Sequence, residues 1–124
     1  MLSLQAMPKG RFNILLFAVL SLTIFSCSKF DKIQRSDNLE EKLQAAFDYY
    51  EKKDYHKASV LFEELVPLLR GRSESEKASF YQANCHYHQK QYIMSSYYYR
   101  DFIETFPRSE YTEDARFYYA KSLY

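Results

Sequence analysis

The residues that end helices and shape turns are scarce in this sequence. Its 124 residues include two glycines and three prolines, and tryptophan is absent. Folds built from short strands need frequent turns, and Gly and Pro supply most of them. Their scarcity argues against a β-rich fold and makes helix the default expectation for this chain.

An excess of charge of one sign is also missing. The chain has 17 basic and 16 acidic residues, and residues 27–124, which exclude Lys9 and Arg11, have 15 basic against 16 acidic. A nucleic-acid-binding domain typically concentrates Lys and Arg on one face. The balance gives no such electrostatic footprint, so we expect no nucleic-acid partner.

Motifs for catalysis are absent as well. The sequence contains no Gly-rich phosphate loop, no nucleophile motif and no paired-carboxylate pattern. Cys85 and His88 share a helical face, but a structural zinc site needs four ligands, and His86 points to a different side. Glu63 and Glu64 are interpreted as an exposed helix face. The sequence therefore predicts no enzyme, no cofactor and no metal site.

Residues 1–26 have the layout of a secretory signal peptide. Lys9 and Arg11 precede an apolar run at residues 12–25. A helix that spans a membrane needs about 20 predominantly apolar residues, and this run is shorter. We therefore expect the segment to be removed rather than retained as a membrane span.

Residues 24–27, IFSC, resemble a lipobox, where a bacterial transferase acylates the Cys thiol and a peptidase cuts before it. The resemblance implies a palmitate-type lipid on Cys27, followed by a polar tether over 27–37. Ser28, rather than Asp, follows the cysteine. In this respect the sequence resembles lipoproteins that are sent to the outer membrane. The implied location is the periplasmic face of the outer membrane, held by lipid. The alternative is an ordinary cleaved signal in which Cys27 is incidental.

The segment 38–124 repeats with a period of 37 residues. The same offset relates Leu43, Phe80 and Phe117, then Ala46, Ala83 and Ala120, then Tyr50, Tyr87 and Tyr124. Three registers that each recur three times indicate internal repeats. We place the repeats at about 38–72 and 75–109, with the first helix of a third from 110.

Each repeat is predicted to be a pair of helices. Capping-box spacing, Asp37 with Glu40 and Ser73 with Glu76, marks the start of two first helices. Pro107 marks the end of a second helix, because proline cannot continue one.

The spacing of small and aromatic residues resembles the tetratricopeptide (TPR) pattern, including its A-x₃-F element. Ala58 with Phe62 and Ser95 with Tyr99 carry that element, and small residues also recur in the first helices at Ala46 and Ala83. Small residues let paired helices approach closely. The resemblance implies an all-α fold of TPR-type helix-turn-helix repeats stacked in a right-handed superhelix. The period exceeds the usual 34 or so residues, and the tryptophan of the TPR pattern is missing.

The chain as a whole resembles the BamD family, TPR lipoproteins of the outer-membrane β-barrel assembly machinery, the BAM complex. The resemblance rests on the lipobox, the tether, the long-period repeats and the junction at residues 106–109, FPRS, before an Ala- and aromatic-rich helix. Family members have more repeats, so this chain corresponds to their N-terminal portion. The resemblance implies two partners, a BamA-like barrel insertase and unfolded outer-membrane proteins.

A peptide-binding groove is predicted along the first helices, which line the concave surface of a TPR array. Stripes at i, i+4 and i+7 recur in the three first helices. The predicted groove residues are Leu43, Phe47, Tyr50, Phe80, Asn84, Tyr87, Phe117 and Tyr124. The alternative is that these side chains pack between adjacent repeats.

Two function classes follow. The first is a lipid-anchored scaffold of outer-membrane protein assembly that binds unfolded β-barrel substrates or partner subunits during insertion. The second is a TPR lipoprotein adaptor of another envelope system, such as secretion, cell-wall or polymer uptake.

Overall fold

The computed structural model describes residues 9–124, apart from the side chains of residues 9 and 22–28. This part of the chain is all-helical and contains no strand, as the sequence predicts. Its helices are α1 (Lys9–Gln34), α2 (Leu39–Glu51), α3 (Tyr55–Leu68), α4 (Ser75–His88), α5 (Tyr92–Thr105) and α6 (Thr112–Ser122).

Helix α1 belongs to a unit of its own that ends at Arg35. Between Phe12 and Leu20 its apolar side chains are exposed. The predicted cleavage before Cys27 falls within this helix, and the Cys27 side chain lies outside the described residues, so lipid attachment stays a prediction. Among the described residues, no helix combines the length and apolar character needed to cross a membrane.

The second unit, Ser36–Tyr124, is built from helices that pack in chain order. Helix α2 packs on α3, α3 on α4, α4 on α5 and α5 on α6, and α4 also touches α6. Helices α2/α3 and α4/α5 are therefore adjacent, packed pairs at the positions expected for the two repeats.

The turn inside each pair has the same backbone conformation in both repeats. Lys53 and Lys90, 37 residues apart, are the non-glycine residues with positive φ in the described chain, at 62° and 61°. The Lys53 N–H donates to the Tyr50 carbonyl at 2.9 Å, and the Lys90 N–H donates to the Tyr87 carbonyl at 3.0 Å. The left-handed region is uncommon for residues with a Cβ, so its recurrence at this offset supports a repeated structural unit.

Small residues occupy buried positions in both helix pairs. The fully buried positions include Ala46 and Ala58 in the first pair and Ala83 and Ser95 in the second, each with 0% exposure. Around them, apolar side chains complete the core, among them Leu61, Phe62, Leu65, Tyr99 and Phe102. All four small residues are therefore fully buried, as close packing of the paired helices requires.

Both predicted capping boxes are wrong. The N-cap of α2 is Asn38, whose Oδ1 accepts from the Glu41 N–H at 3.2 Å, because Asn38 rather than Asp37 stands directly before Leu39. The N-cap of α4 is Glu74, which makes no side-chain cap hydrogen bond. Ser73 donates its hydroxyl to the Glu74 carboxylate instead.

The predicted end of the second repeat's second helix is confirmed. Helix α5 stops at Thr105, Phe106 is its C-cap, and Pro107 follows. The Thr112 hydroxyl then donates to the Phe106 carbonyl at 2.7 Å, which links the end of α5 to the start of α6.

Candidate peptide-binding site

Two of the groove candidates, Phe47 and Tyr50, are half-buried on α2 and contact α4. The Phe47 ring meets the Tyr81 ring edge-on with centroids 5.1 Å apart, and the Tyr50 and Tyr81 centroids are 4.6 Å apart. Phe47 also contacts Phe62 of α3 at 5.2 Å. These rings join the two repeats, and each contributes packing energy beyond its buried area.

Leu43 and Phe80 are core residues in the structure, each only 6% exposed. Phe80 stacks on Tyr111 at 4.9 Å and contacts Phe102 at 5.7 Å. They present little surface to a ligand, so their visible role is packing between helices.

Asn84 lies in a buried hydrogen-bond chain rather than on an open surface. The Tyr99 hydroxyl donates to Asn84 Oδ1 at 2.5 Å, and Asn84 Nδ2 donates to the Tyr50 hydroxyl at 3.4 Å. Burial raises the pKa of Tyr50 to about 12 and also raises the pKa of Tyr99. Both hydroxyls are therefore neutral at physiological pH. The hydrogen bonds from Tyr99 through Asn84 to Tyr50 link α5, α4 and α2.

The remaining candidates, Tyr87, Phe117 and Tyr124, meet at an open cleft of about 420 Å³. The cleft is lined by Tyr87, Tyr92, Phe117, Ala120, Lys121 and Tyr124. Phe117 is 56% exposed and Tyr124 is fully exposed, whereas Tyr87 is half-buried.

Aromatic contacts fix the inner wall of this cleft. Tyr87 meets Tyr92 edge-on at 5.6 Å and Tyr118 at 5.0 Å. The Lys121 ammonium lies 5.2 Å from the centroid of the Phe117 ring, which places one cation beside the apolar walls. The cleft can hold an apolar or aromatic side chain between rings while Lys121 attracts a carboxylate.

Sequence reasoning missed Tyr92 as a member of the site. Its signal was the 37-residue offset to Tyr55, which begins the other second helix and meets Tyr50 edge-on at 5.4 Å. The first residue of a second helix therefore reaches the aromatic residues of the preceding first helix in both repeats.

Glu63 is exposed, as predicted, and Glu64 is half-buried, but both carboxylates also contact neighbouring helices. Glu64 forms an ion pair with Lys42 at 3.1 Å, which links α3 to α2. Glu63 Oε1 lies 3.3 Å from His86 Nε2 on α4. Both carboxylates face neighbouring helices because α3 packs between α2 and α4.

The described structure contains one free cysteine, Cys85, and it is not part of a cluster of metal-binding side chains. Cys85 is a free, buried thiol, and burial raises its pKa to about 12, which keeps it protonated. The nucleophilic form of cysteine is the thiolate, so this thiol is unreactive where it lies. Within residues 9–124 as described, no three His, Cys, Asp or Glu side chains are grouped to hold a metal ion.

Comparison with known proteins gives no relative from which a function can be transferred. Neither a protein-family model nor a curated protein matches this chain.

Proposed function

We propose that the chain is a lipid-anchored TPR scaffold of the bacterial envelope that holds a segment of another protein in the aromatic cleft. One observation carries the proposal. Phe117 is 56% exposed, whereas Leu43 and Phe80 in the same 37-residue column are buried. Tyr124 is fully exposed, whereas Tyr50 and Tyr87 in its column are half-buried. Exposed aromatic rings around a concave space are typical of binding surfaces.

The TPR assignment, with pairs stacked in a right-handed superhelix, is part of the same proposal. The equivalent left-handed turns at Lys53 and Lys90 support it, as do the buried small residues Ala46 and Ala83 at one register. In the described part of the chain, the main helix contacts join neighbours along the sequence, as in repeat proteins.

The partner class follows from the resemblance to the BamD family and from the chemistry of the cleft. We propose unfolded outer-membrane β-barrel proteins as ligands, with delivery to a BamA-like insertase. A barrel strand that ends in an aromatic residue has a ring to place beside Tyr87 and Phe117. Its terminal carboxylate would then lie near the Lys121 ammonium.

The test is the affinity of a fluorescein-labelled peptide, taken from the C-terminal strand of an outer-membrane barrel, measured by fluorescence anisotropy. Phe117→Ala should weaken binding about five- to tenfold, because an aromatic anchor at an interface contributes about 1 kcal/mol or more. Phe117 is preferable to Phe80 as a target, since truncation of a buried phenylalanine costs about 3–5 kcal/mol of stability.

Arg116→Ala is the matched control. Arg116 precedes Phe117 on α6 and is exposed outside the cleft, so its removal should leave affinity within twofold and helicity unchanged. Equal affinity of the Phe117→Ala protein and the unmodified protein would contradict the cleft assignment. Equal affinity for a scrambled peptide would instead favour the adaptor of another envelope system.

A further inference from the structure

One face of α4 is polar although it is covered by protein. Ser75, Ser79, Gln82 and His86 follow one another at i, i+4, i+7 and i+11, which places them on a single helical stripe. Ser75, Gln82 and His86 are only 6%, 5% and 5% exposed. A stripe with this burial is normally apolar.

The other first helices have no counterpart of Gln82 and His86, two of the buried polar residues in this stripe. At the 37-residue offset from Gln82 stand Ala45 and Tyr119, and at that offset from His86 stand Tyr49 and Leu123. Gln82 and His86 are therefore not a general requirement of the repeat.

The polar groups of the stripe are largely without partners in the protein. Within the described chain, the side chains of Ser75, Ser79 and Gln82 form no hydrogen bond. His86 Nε2 also forms none, but it lies 3.3 Å from the Glu63 carboxylate. His86 Nδ1 has Gln91 Oε1 at 2.6 Å. Ser75 and Gln82 are each more than 90% buried without a hydrogen bond, yet their polar atoms are not fully sealed from solvent. Buried polar side chains are ordinarily hydrogen-bonded, so these two indicate a partner supplied from outside the chain.

The stripe forms the floor of a groove between α3 and α5. Two clefts, of about 500 Å³ and 420 Å³, share Val66, Arg70, Ser79 and Asp101, so they are continuous. Ser75 and Ser79 line the first cleft, and Ser79 and Gln82 line the second. Apolar and aromatic wall residues are contributed by both sides, including Pro67, Met94, Tyr97 and Tyr98.

We propose that this groove binds an extended polypeptide segment through its main chain. Serine hydroxyls and the glutamine amide each offer both a donor and an acceptor, which matches the peptide unit with its one N–H and one C=O. From Ser75 to Gln82 the floor is about 10 Å long, the length of about three extended residues. The site is separate from the aromatic cleft and does not depend on it.

Charges on the two sides indicate which peptide fits. Arg70 follows the end of α3, and Asp101 lies on α5. Each is exposed and lines the first as well as the second cleft. Neither forms an ion pair within the described chain. A segment with an acidic and a basic side chain flanking apolar residues would meet an opposite charge on each side.

The probe is the blocked pentapeptide Ac-EVFVK-NH₂ carrying fluorescein, beside a version N-methylated at both valines. The full chain should bind the unmethylated peptide at least tenfold more tightly, because methylation removes main-chain donors. Gln82→Met, of similar shape without the amide, should weaken binding about tenfold without lowering the urea midpoint. Gln44→Met, on the exposed face of α2, should bind normally.

NMR of the ¹⁵N-labelled chain locates the bound probe. The side-chain amide signals of Gln82 should shift on addition of the peptide, while those of Gln44 stay in place. Shifts confined to Tyr87, Phe117 and Tyr124, no shifts at all, or equal affinity for the methylated probe would each overturn the proposal. If Gln82→Met lowers stability, Ser79→Ala replaces it, with an expected threefold or greater loss of affinity, and unchanged affinity there also overturns the proposal.

Discussion

Ala83 and Ala120 occupy the same register in consecutive repeats but differ in packing, which makes them a matched pair for mutation. Ala83 has 0% exposure in the core of the α4/α5 pair, whereas Ala120 is exposed on α6. Ala83→Leu adds three carbons where no space is available and should cost about 1–3 kcal/mol. Ala120→Leu places the same carbons in the open aromatic cleft, where they stay exposed, and should change stability by less than about 0.5 kcal/mol.

Urea unfolding followed by circular dichroism measures both effects. Alanine and leucine are both good helix formers, so intrinsic helix propensity contributes little to the difference. A cost of about 2 kcal/mol with a slope near 1.5 kcal/mol per molar urea lowers the midpoint by roughly 1.3 M. Only the Ala83→Leu midpoint should fall, with the slope unchanged. Equal midpoints for the two variants would refute the assignment of Ala83 to a tight helix contact.

Three further predictions concern the hydrogen-bond chain, alkaline pH and the anchor. Tyr99→Phe leaves Asn84 Oδ1 buried without its donor and should cost about 1–3 kcal/mol by the same urea assay, whereas Tyr97→Phe, on an exposed ring, should cost almost nothing. Burial raises the pKa of Tyr50 from 10.0 to about 12 and also raises the pKa of Tyr99. The stability that these neutral hydroxyls contribute is therefore present below pH 10 and is lost as the pH rises toward 12. Urea midpoints that stay constant across that range would contradict this. Cys27→Ala should abolish metabolic palmitate labelling and leave an unprocessed precursor on immunoblots, and normal processing would exclude acylation there.

The helical pairs could be predicted from the sequence because the 37-residue period carries the information several times over. The helix stop at Pro107 has a local physical cause that no distant contact alters. Exact helix starts could not be predicted. Asp37 and Asn38 are both good caps, and only the backbone conformation decides which side chain reaches the free N–H groups.

The site was predictable only in part, because equal residue types at equal registers have different surroundings. Phe80 and Phe117 occupy one column, yet Phe80 is covered by Phe102 and Tyr111 while Phe117 is exposed. The periodicity identifies the column but contains no information about which helix covers which member. The same limit hid the groove over α4, because Ser79 and Gln82 at helical spacing are typical of a solvated face.

We propose that the aromatic cleft holds unfolded outer-membrane proteins, and site-specific photocrosslinking in intact envelopes tests this most directly. A photoreactive phenylalanine analogue replaces Phe117 in one strain and exposed Lys52, outside the cleft, in another. After a short metabolic pulse, irradiation should crosslink newly made barrel precursors to position 117 and not to position 52. The crosslink should disappear during a chase as the precursors insert. Absence of the crosslink at position 117, or equal crosslinking at both positions, would contradict the account.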